Sequence, residues 1–285
     1  MRKFRLHLLP LFFAWTAAAE PSVFAIFGGD DRKDMYQVDH WVAHQVMSSI
    51  VMLAYKTDVN TEGSNGFRLQ GVDYGTSENL CRSEPFWSQT AYGFCTGVLI
   101  ESNVVLTAGH CVVNEKECAN TRMVFDVKYD GPGALDELVS LSRVRDCKRI
   151  IRRQNRAGLD YALIELSHRI TDRKPLPLSD LDGAHRKVFM IGHPMGLPAK
   201  FSGPAQIYAE SKLVWNTELD AFGGNSGSPV FESASGALVG ILTAGEEGDF
   251  EQSGKSCRVS KKCTPKTCFG GIVLKSQAIR QSAGI

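Results

Sequence analysis

The chain has 285 residues, 43% of them hydrophobic and 22% charged, with a formal net charge of +1. That hydrophobic share supplies a sizeable core and excludes a disordered chain, and the near-neutral balance excludes a general binder of polyanions such as nucleic acid. The length suits one large all-β domain or two small ones.

The first residues, Met1-Arg2-Lys3-Phe4-Arg5, are positive, residues 6–14 are mostly apolar, and Ala17-Ala18-Ala19 offers small residues for cleavage. This is the pattern of a secretory signal peptide over residues 1–19, with cleavage after Ala25 as a second option. His7 and Pro10 interrupt the apolar run, which falls short of the about 20 residues a membrane span requires, so no span is expected in the mature chain. Loss of Arg2, Lys3 and Arg5 turns the charge of +1 into −2. Eight cysteines, an even number, fit an exported protein, periplasmic or secreted, whose thiols oxidise to disulfides.

Residues 20–39 are rich in Gly and Asp and read as an N-terminal arm or a short propeptide. Over residues 40–285, short apolar runs recur between turn signals, at 49–55, 97–106, 123–129, 161–166, 187–192, 205–208, 229–231, 238–242 and 271–274. Many short β-rich runs at this spacing predict antiparallel sandwich or barrel architecture rather than strand-helix-strand units. Residues 171–177, Thr-Asp-Arg-Lys-Pro-Leu-Pro, have linker composition and divide a first half, about 40–170, from a second, about 178–285. Helical pattern is scarce; the run 272–279 reads as a strand followed by a short helix. Between residues 143 and 156, Arg143, Arg145, Lys148, Arg149, Arg152, Arg153 and Arg156 face Asp146 alone. A solvated strand and turn is the plain reading of that block, and a docking surface for acidic substrates or glycans is its alternative.

Three stretches carry chemistry: Leu106-Thr107-Ala108-Gly109-His110-Cys111, Gly158-Leu159-Asp160-Tyr161-Ala162-Leu163-Ile164-Glu165-Leu166, and Gly223-Gly224-Asn225-Ser226-Gly227-Ser228-Pro229-Val230-Phe231. A serine hydroxyl is a poor nucleophile until an imidazole within hydrogen-bond reach takes its proton. A carboxylate must in turn hold that imidazole in the right tautomer. Ser226, His110 and Asp160 fit these roles. A serine among glycines is by itself most often a turn residue; the three stretches in this order together resemble the trypsin-like (chymotrypsin-fold) serine peptidases. Phe27-Gly28-Gly29-Asp30-Asp31-Arg32 is similar to the mature start of the bacterial glutamyl endopeptidase branch of that superfamily.

The resemblance implies two antiparallel six-stranded β-barrels with the active site in the cleft between them, and a short C-terminal helix. It implies an endopeptidase acting on protein or peptide substrates through an acyl-enzyme, with His110, Asp160 and Ser226 as the triad and the N–H groups of Gly224 and Ser226 as oxyanion donors. Neither a metal nor an organic cofactor is needed by that chemistry. It further implies a Cys95–Cys111 disulfide clamping His110; the six other cysteines are left unpaired by the sequence. Asp220, six residues before Ser226, takes the place of the acidic floor of a pocket for Arg or Lys, and Thr243, Ala244 and Gly245 that of the edge pairing with the substrate backbone. Asp220 as a cap for the following turn is the other reading.

Two positions depart from the family pattern. Asn225 replaces the aspartate that pairs with a newly cut N-terminus in vertebrate-type members, so activation is expected to proceed without that ion pair. Leu242 stands where glutamyl-specific members place a histidine, so cleavage after Glu is the alternative to cleavage after Arg or Lys. A binding or adhesion module that keeps the fold without turnover is the second class of function. His193, in Ile191-Gly192-His193-Pro194, reads as structural.

Overall fold

A computed structural model describes residues 26–285 except 65, 134, 182–186, 246–247, 255 and 265–267. The expected signal peptide, and residues 20–25 of the expected arm, lie outside the described residues.

Six strands form a closed first barrel: β1 (Ile50–Tyr55), β2 (Cys95–Glu101), β3 (Val104–Thr107), β4 (Thr121–Phe125), β5 (Val144–Arg156) and β6 (Leu159–Leu166), hydrogen-bonded in the order β4-β5-β6-β3-β2-β1 with β1 returning to β4. Six more form the second: β7 (Lys187–Gly192), β8 (Lys200–Glu210), β9 (Val214–Thr217), β10 (Pro229–Glu232), β11 (Leu238–Ala244) and β12 (Gly271–Lys275), in the order β7-β10-β11-β12-β9-β8 with β8 closing onto β7. All these pairings are antiparallel. The helix Ser276–Ala283 follows directly on β12. The two expected six-stranded barrels and the terminal helix are therefore present.

Hydrophobic patterning accounts for how the barrels close. In β1 the side chains of Val51 and Leu53 enter the interior of the first barrel with Leu99, Val105, Phe125 and Ile164. Met52 and Ala54, on the opposite face, pack under an outer layer containing Val59, Leu69 and Val139. Both faces are thus buried, which is why Ile-Val-Met-Leu-Ala reads as an unbroken apolar run rather than an alternating one. The second barrel is filled by Val188, Met190, Trp215, Val230, Leu242 and Val273. A further cluster, with Phe189 stacked between Phe201 and Phe231 at 5.3 and 5.1 Å, joins residues of both barrels. Each fully buried Leu, Ile, Val or Phe contributes roughly 1.5–3 kcal/mol, so the shared cluster holds the cleft walls in fixed relation.

Two features depart from the sequence reading, and a third shows where the arm docks. Residues 97–106, read as one run, are the two strands β2 and β3 joined by a turn at Ser102 and Asn103. A helix, Trp41–Met47, stands before β1 and buries Val42, Ala43, Val46 and Met47. The N-terminal arm belongs to the second barrel: Lys33–Asp34 pairs with Lys200 and Phe201 of β8.

Disulfides join Cys95–Cys111, Cys81–Cys257, Cys118–Cys147 and Cys263–Cys268. The Cys81–Cys257 bridge spans 176 residues of chain and Cys118–Cys147 spans 29. Loop closure of these lengths removes the most entropy from the unfolded chain, in the chain-entropy account.

The basic block of residues 143–156 is largely β5, and its cations are mostly held. Lys148 and Arg149 both reach Glu165, at 2.7 and 2.6 Å. Arg145, Arg152 and Arg153 donate to backbone carbonyls, Arg153 to that of Gly109.

Candidate active site

Register brings the first two site residues together. β6 pairs with β3 so that Ala162 faces Thr107. Asp160 lies two residues before Ala162 and His110 three beyond Thr107, so the antiparallel ladder carries both to the same end of the barrel. There the Asp160 carboxylate accepts twice: Oδ1 from the His110 backbone N–H at 3.0 Å, and Oδ2 from His110 Nδ1 at 2.6 Å. This fixes the tautomer, with the proton on Nδ1 and the Nε2 lone pair left free. The His110 side chain is about one-third exposed and that of Asp160 one-fifth.

Ser226 sits in the loop before β10, and the first barrel holds that loop. The Thr96 N–H donates to Ser226 O at 2.9 Å, and Thr96 lies next to Cys95, whose disulfide partner Cys111 follows His110. His110, Ser226, Gly223 and Gly224 all line one cavity of about 510 Å³. Gly224 and Gly227 have φ of +82° and +84°. A Cβ would stand 2.5 Å from His193 O at Gly224 and 2.1 Å from Thr96 O at Gly227. Only glycine meets both the dihedral and the close approach. Among the described residues, neither the Gly224 nor the Ser226 N–H has an acceptor within the protein.

One residue absent from the sequence reading ties this loop down. Thr96 Oγ1 donates to Gly224 O at 2.9 Å and accepts from the His193 N–H at 2.9 Å. Its only sequence signal was a hydroxyl in the otherwise apolar start of β2. His193 is fully buried, and its Nδ1 bonds Leu197 O at 2.9 Å. Burial pulls its pKa down to about 4, so it is neutral and structural.

Asn225 is 1% exposed, and its side-chain oxygen accepts from Ser228 Oγ at 3.3 Å. The Thr243 side chain is buried with its hydroxyl on Ile272 O at 3.3 Å, while Ala244 and Gly245 are half-buried. The β10–β11 ladder ends at Pro229–Ile241 and is closed by Gly227 N–H to Leu242 O, so residues 243–245 run on beyond it.

Asp220 departs from its expected place. It is 1% exposed, and its two oxygens accept the backbone N–H groups of Phe27, at 2.6 Å, and Asp31, at 2.8 Å. Its carboxylate anchors the N-terminal arm, and Asp220 does not line the cavity that Ser226 and His110 share. Burial and the neighbouring Asp31 carboxylate push its pKa up to about 8 against the pull of the two N–H donors. A second carboxylate touches the loop directly: Asp249 Oδ1 accepts from the Gly223 N–H at 3.2 Å. Behind the loop, the Arg32 guanidinium lies 4.0 Å from the Phe222 ring, nearly fully buried, and is paired with Asp30.

Cys95, His110 and Cys111 present ligand-type atoms within 4.8 Å of one another. The two sulfurs are joined to each other, so no thiolate remains to bind a metal there.

A two-barrel fold with a carboxylate-held imidazole and a serine in a strained glycine loop defines the trypsin-like peptidase class. The profile of the trypsin-like peptidase domain family matches residues 95–241, and the chain belongs to that family. A glutamyl endopeptidase of Bacillus licheniformis is 32% identical over 160 residues, which are 51% of this chain and 48% of that protein. The chain thus aligns with about half the length of that relative. A solved structure of a Glu endopeptidase in complex with MPD superposes with a TM-score of 0.52 at 15% identity, covering 91% of this chain and all of that one. At that identity the likeness speaks for the fold.

Proposed function

We propose that this protein is an exported serine endopeptidase in which Ser226 attacks the substrate carbonyl, His110 takes its proton and returns it to the leaving amine, and Asp160 holds the imidazole. The observation that carries the reading is the pair of hydrogen bonds that His110 donates, from backbone and ring, to the Asp160 carboxylate, beside a cavity that Ser226 shares. The unengaged N–H groups of Gly224 and Ser226 are the proposed donors to the tetrahedral oxyanion, where one such donor is worth roughly 100- to 1,000-fold in rate. Thr243, Ala244 and Gly245, running past the end of the ladder, are proposed to pair with the substrate backbone. The four disulfides support export to an oxidising compartment.

For the residue before the scissile bond we propose glutamate. Asp220 is turned to the N-terminal arm and does not line the cavity beside Ser226, and the similarity to a glutamyl endopeptidase agrees. Leu242 is fully buried and supplies no imidazole. Cleavage after Arg or Lys is the second reading, favoured by the Asp249 carboxylate on the Gly223 N–H.

The test is a diverse peptide library with the mature protein and Ser226→Ala side by side, together with labelling by a fluorophosphonate. Loss of the nucleophile lowers kcat about a million-fold in enzymes of this chemistry. Cuts after Glu that vanish in the variant are the expected result. Cuts after Arg or Lys transfer the pocket to Asp249, and no cuts with no labelling would make the protein a binding module.

A further inference from the structure

The cavity beside Ser226 extends away from the residues proposed to hold the acyl half of the substrate. None of residues 220–222 or 243–245 lines it; its walls are the Cys95–Cys111 disulfide, His110, Gly224, Tyr55, Phe94 and Glu117. With Ser226 and the proposed oxyanion donor Gly224 in its lining and the residues proposed for the acyl side outside it, this is the space open to the leaving-group half of a peptide.

Its chemistry is particular. Tyr55 and Phe94 stack at 4.4 Å with an interplanar angle of 22°, and Tyr55 is half exposed, so an aromatic face forms one wall. Glu117, on the short helix Glu115–Ala119, is half-buried, and its Oε2 is fixed by the Val113 N–H at 2.8 Å. Among the described residues its Oε1 has no partner. A positioned carboxylate with one free oxygen beside an exposed aromatic face matches a long cationic side chain. The methylenes and guanidinium of Arg, or the ammonium of Lys, would lie along the rings while the charge meets the carboxylate.

We propose that this cavity is a subsite for Arg or Lys in the first two residues after the scissile bond, with Glu117 as its specificity-determining residue. The inference rests on the peptidase reading above. It makes the substrates chains in which a basic residue follows the cut closely, and it gives a half-exposed charge pair that salt should weaken.

The experiment uses internally quenched peptides with the residue before the cut fixed at the best one found. The two residues after it are varied in turn among Arg, Lys, norleucine, Ala and Glu. In one of the two positions, kcat/KM for Arg or Lys is expected to exceed that for norleucine about 10-fold, and the excess should shrink in high salt. In Glu117→Gln, whose amide oxygen can still accept from Val113 N–H, the cation-to-norleucine ratio should fall to about 2 or less. In Glu117→Lys the ratio should invert in favour of Glu. Thermal unfolding of both variants checks that the helix and its cap survive. Turnover with no preference for cations, or a preference untouched in folded Glu117→Gln, overturns the subsite while the peptidase stands. Absence of both turnover and fluorophosphonate labelling sinks the two readings together.

Discussion

Thr96 offers the sharpest test of how the proposed nucleophile loop is set. Its hydroxyl links Gly224 O and His193 N–H, each at 2.9 Å, and its own N–H holds Ser226 O. Replacement by valine keeps the volume and the backbone bond but removes both hydroxyl bonds. Each is worth about 1 kcal/mol net, and the buried His193 N–H left without an acceptor adds a desolvation cost, so unfolding free energy should fall by about 2–4 kcal/mol. Catalysis should suffer separately. The Gly224 carbonyl belongs to the peptide between Gly224 and Asn225, so freeing it lets the loop, and with it the proposed donors, wander from the oxyanion. Loss of a whole donor costs roughly 100- to 1,000-fold, and partial misalignment should lower kcat about 10- to 100-fold with KM nearly unchanged. Thr96→Ser restores the hydroxyl and should recover most of kcat. The assays are steady-state kinetics on one peptide and urea unfolding of wild type and both variants. An unchanged kcat in Thr96→Val, or a serine variant as impaired as the valine, would show that this hydroxyl does not position the loop.

Two other predictions follow from buried ionisable groups. His193 is neutral with a pKa pulled from 6.5 to about 4. Between those values the unfolded chain holds a proton that the folded one lacks, so stability is lost as pH falls through this window and is flat below it. The loss is about 2 kcal/mol between neutrality and about pH 4.5, and urea unfolding should show it in the wild type but not in His193→Gln. Parallel profiles for the two would refute the assignment. Asp220→Ala strands the Phe27 and Asp31 N–H groups and should cost about 2–3 kcal/mol, with faster limited proteolysis of the arm near Gly28 and Gly29. Unchanged stability together with selective loss of cleavage after Arg or Lys would return Asp220 to the pocket.

The sequence made some of this legible because chemistry narrows the choice of residue types. A loop that needs positive φ at two places, where a Cβ would stand 2.5 Å or less from a neighbouring carbonyl oxygen, admits little but glycine, and that constraint is visible in Gly223-Gly224-Asn225-Ser226-Gly227. The strands were readable wherever apolar residues had turn signals on both sides. β5 was harder to read, since its outer face is charged and two register shifts break its alternation. The helix Trp41–Met47 was missed because it follows no marked cap, its N-cap His40 making no side-chain bond. Three of the four disulfides could not be chosen, as each depends on which loops the barrels bring together.

Asp220 shows where local reading stops. A count of six residues back from Ser226 fixes its position along the chain, but its role is decided by a segment about 190 residues away. Phe27 and Asp31 reach its oxygens because Lys33 and Asp34 add a strand to β8, and that addition is held by the buried pair of Lys200 Nζ with Asp34 Oδ1 at 2.8 Å. Lys200 is itself costly to bury, its pKa drawn down to about 8 by desolvation, so the pair stands only if the arm lies where it does. A buried pair broken by removal of one partner costs about 3–5 kcal/mol, more than any single surface contact in the arm. What Asp220 binds is therefore set by how the arm docks. A proposed triad can be read from three short motifs, whereas the role of Asp220 must be read from the packed molecule.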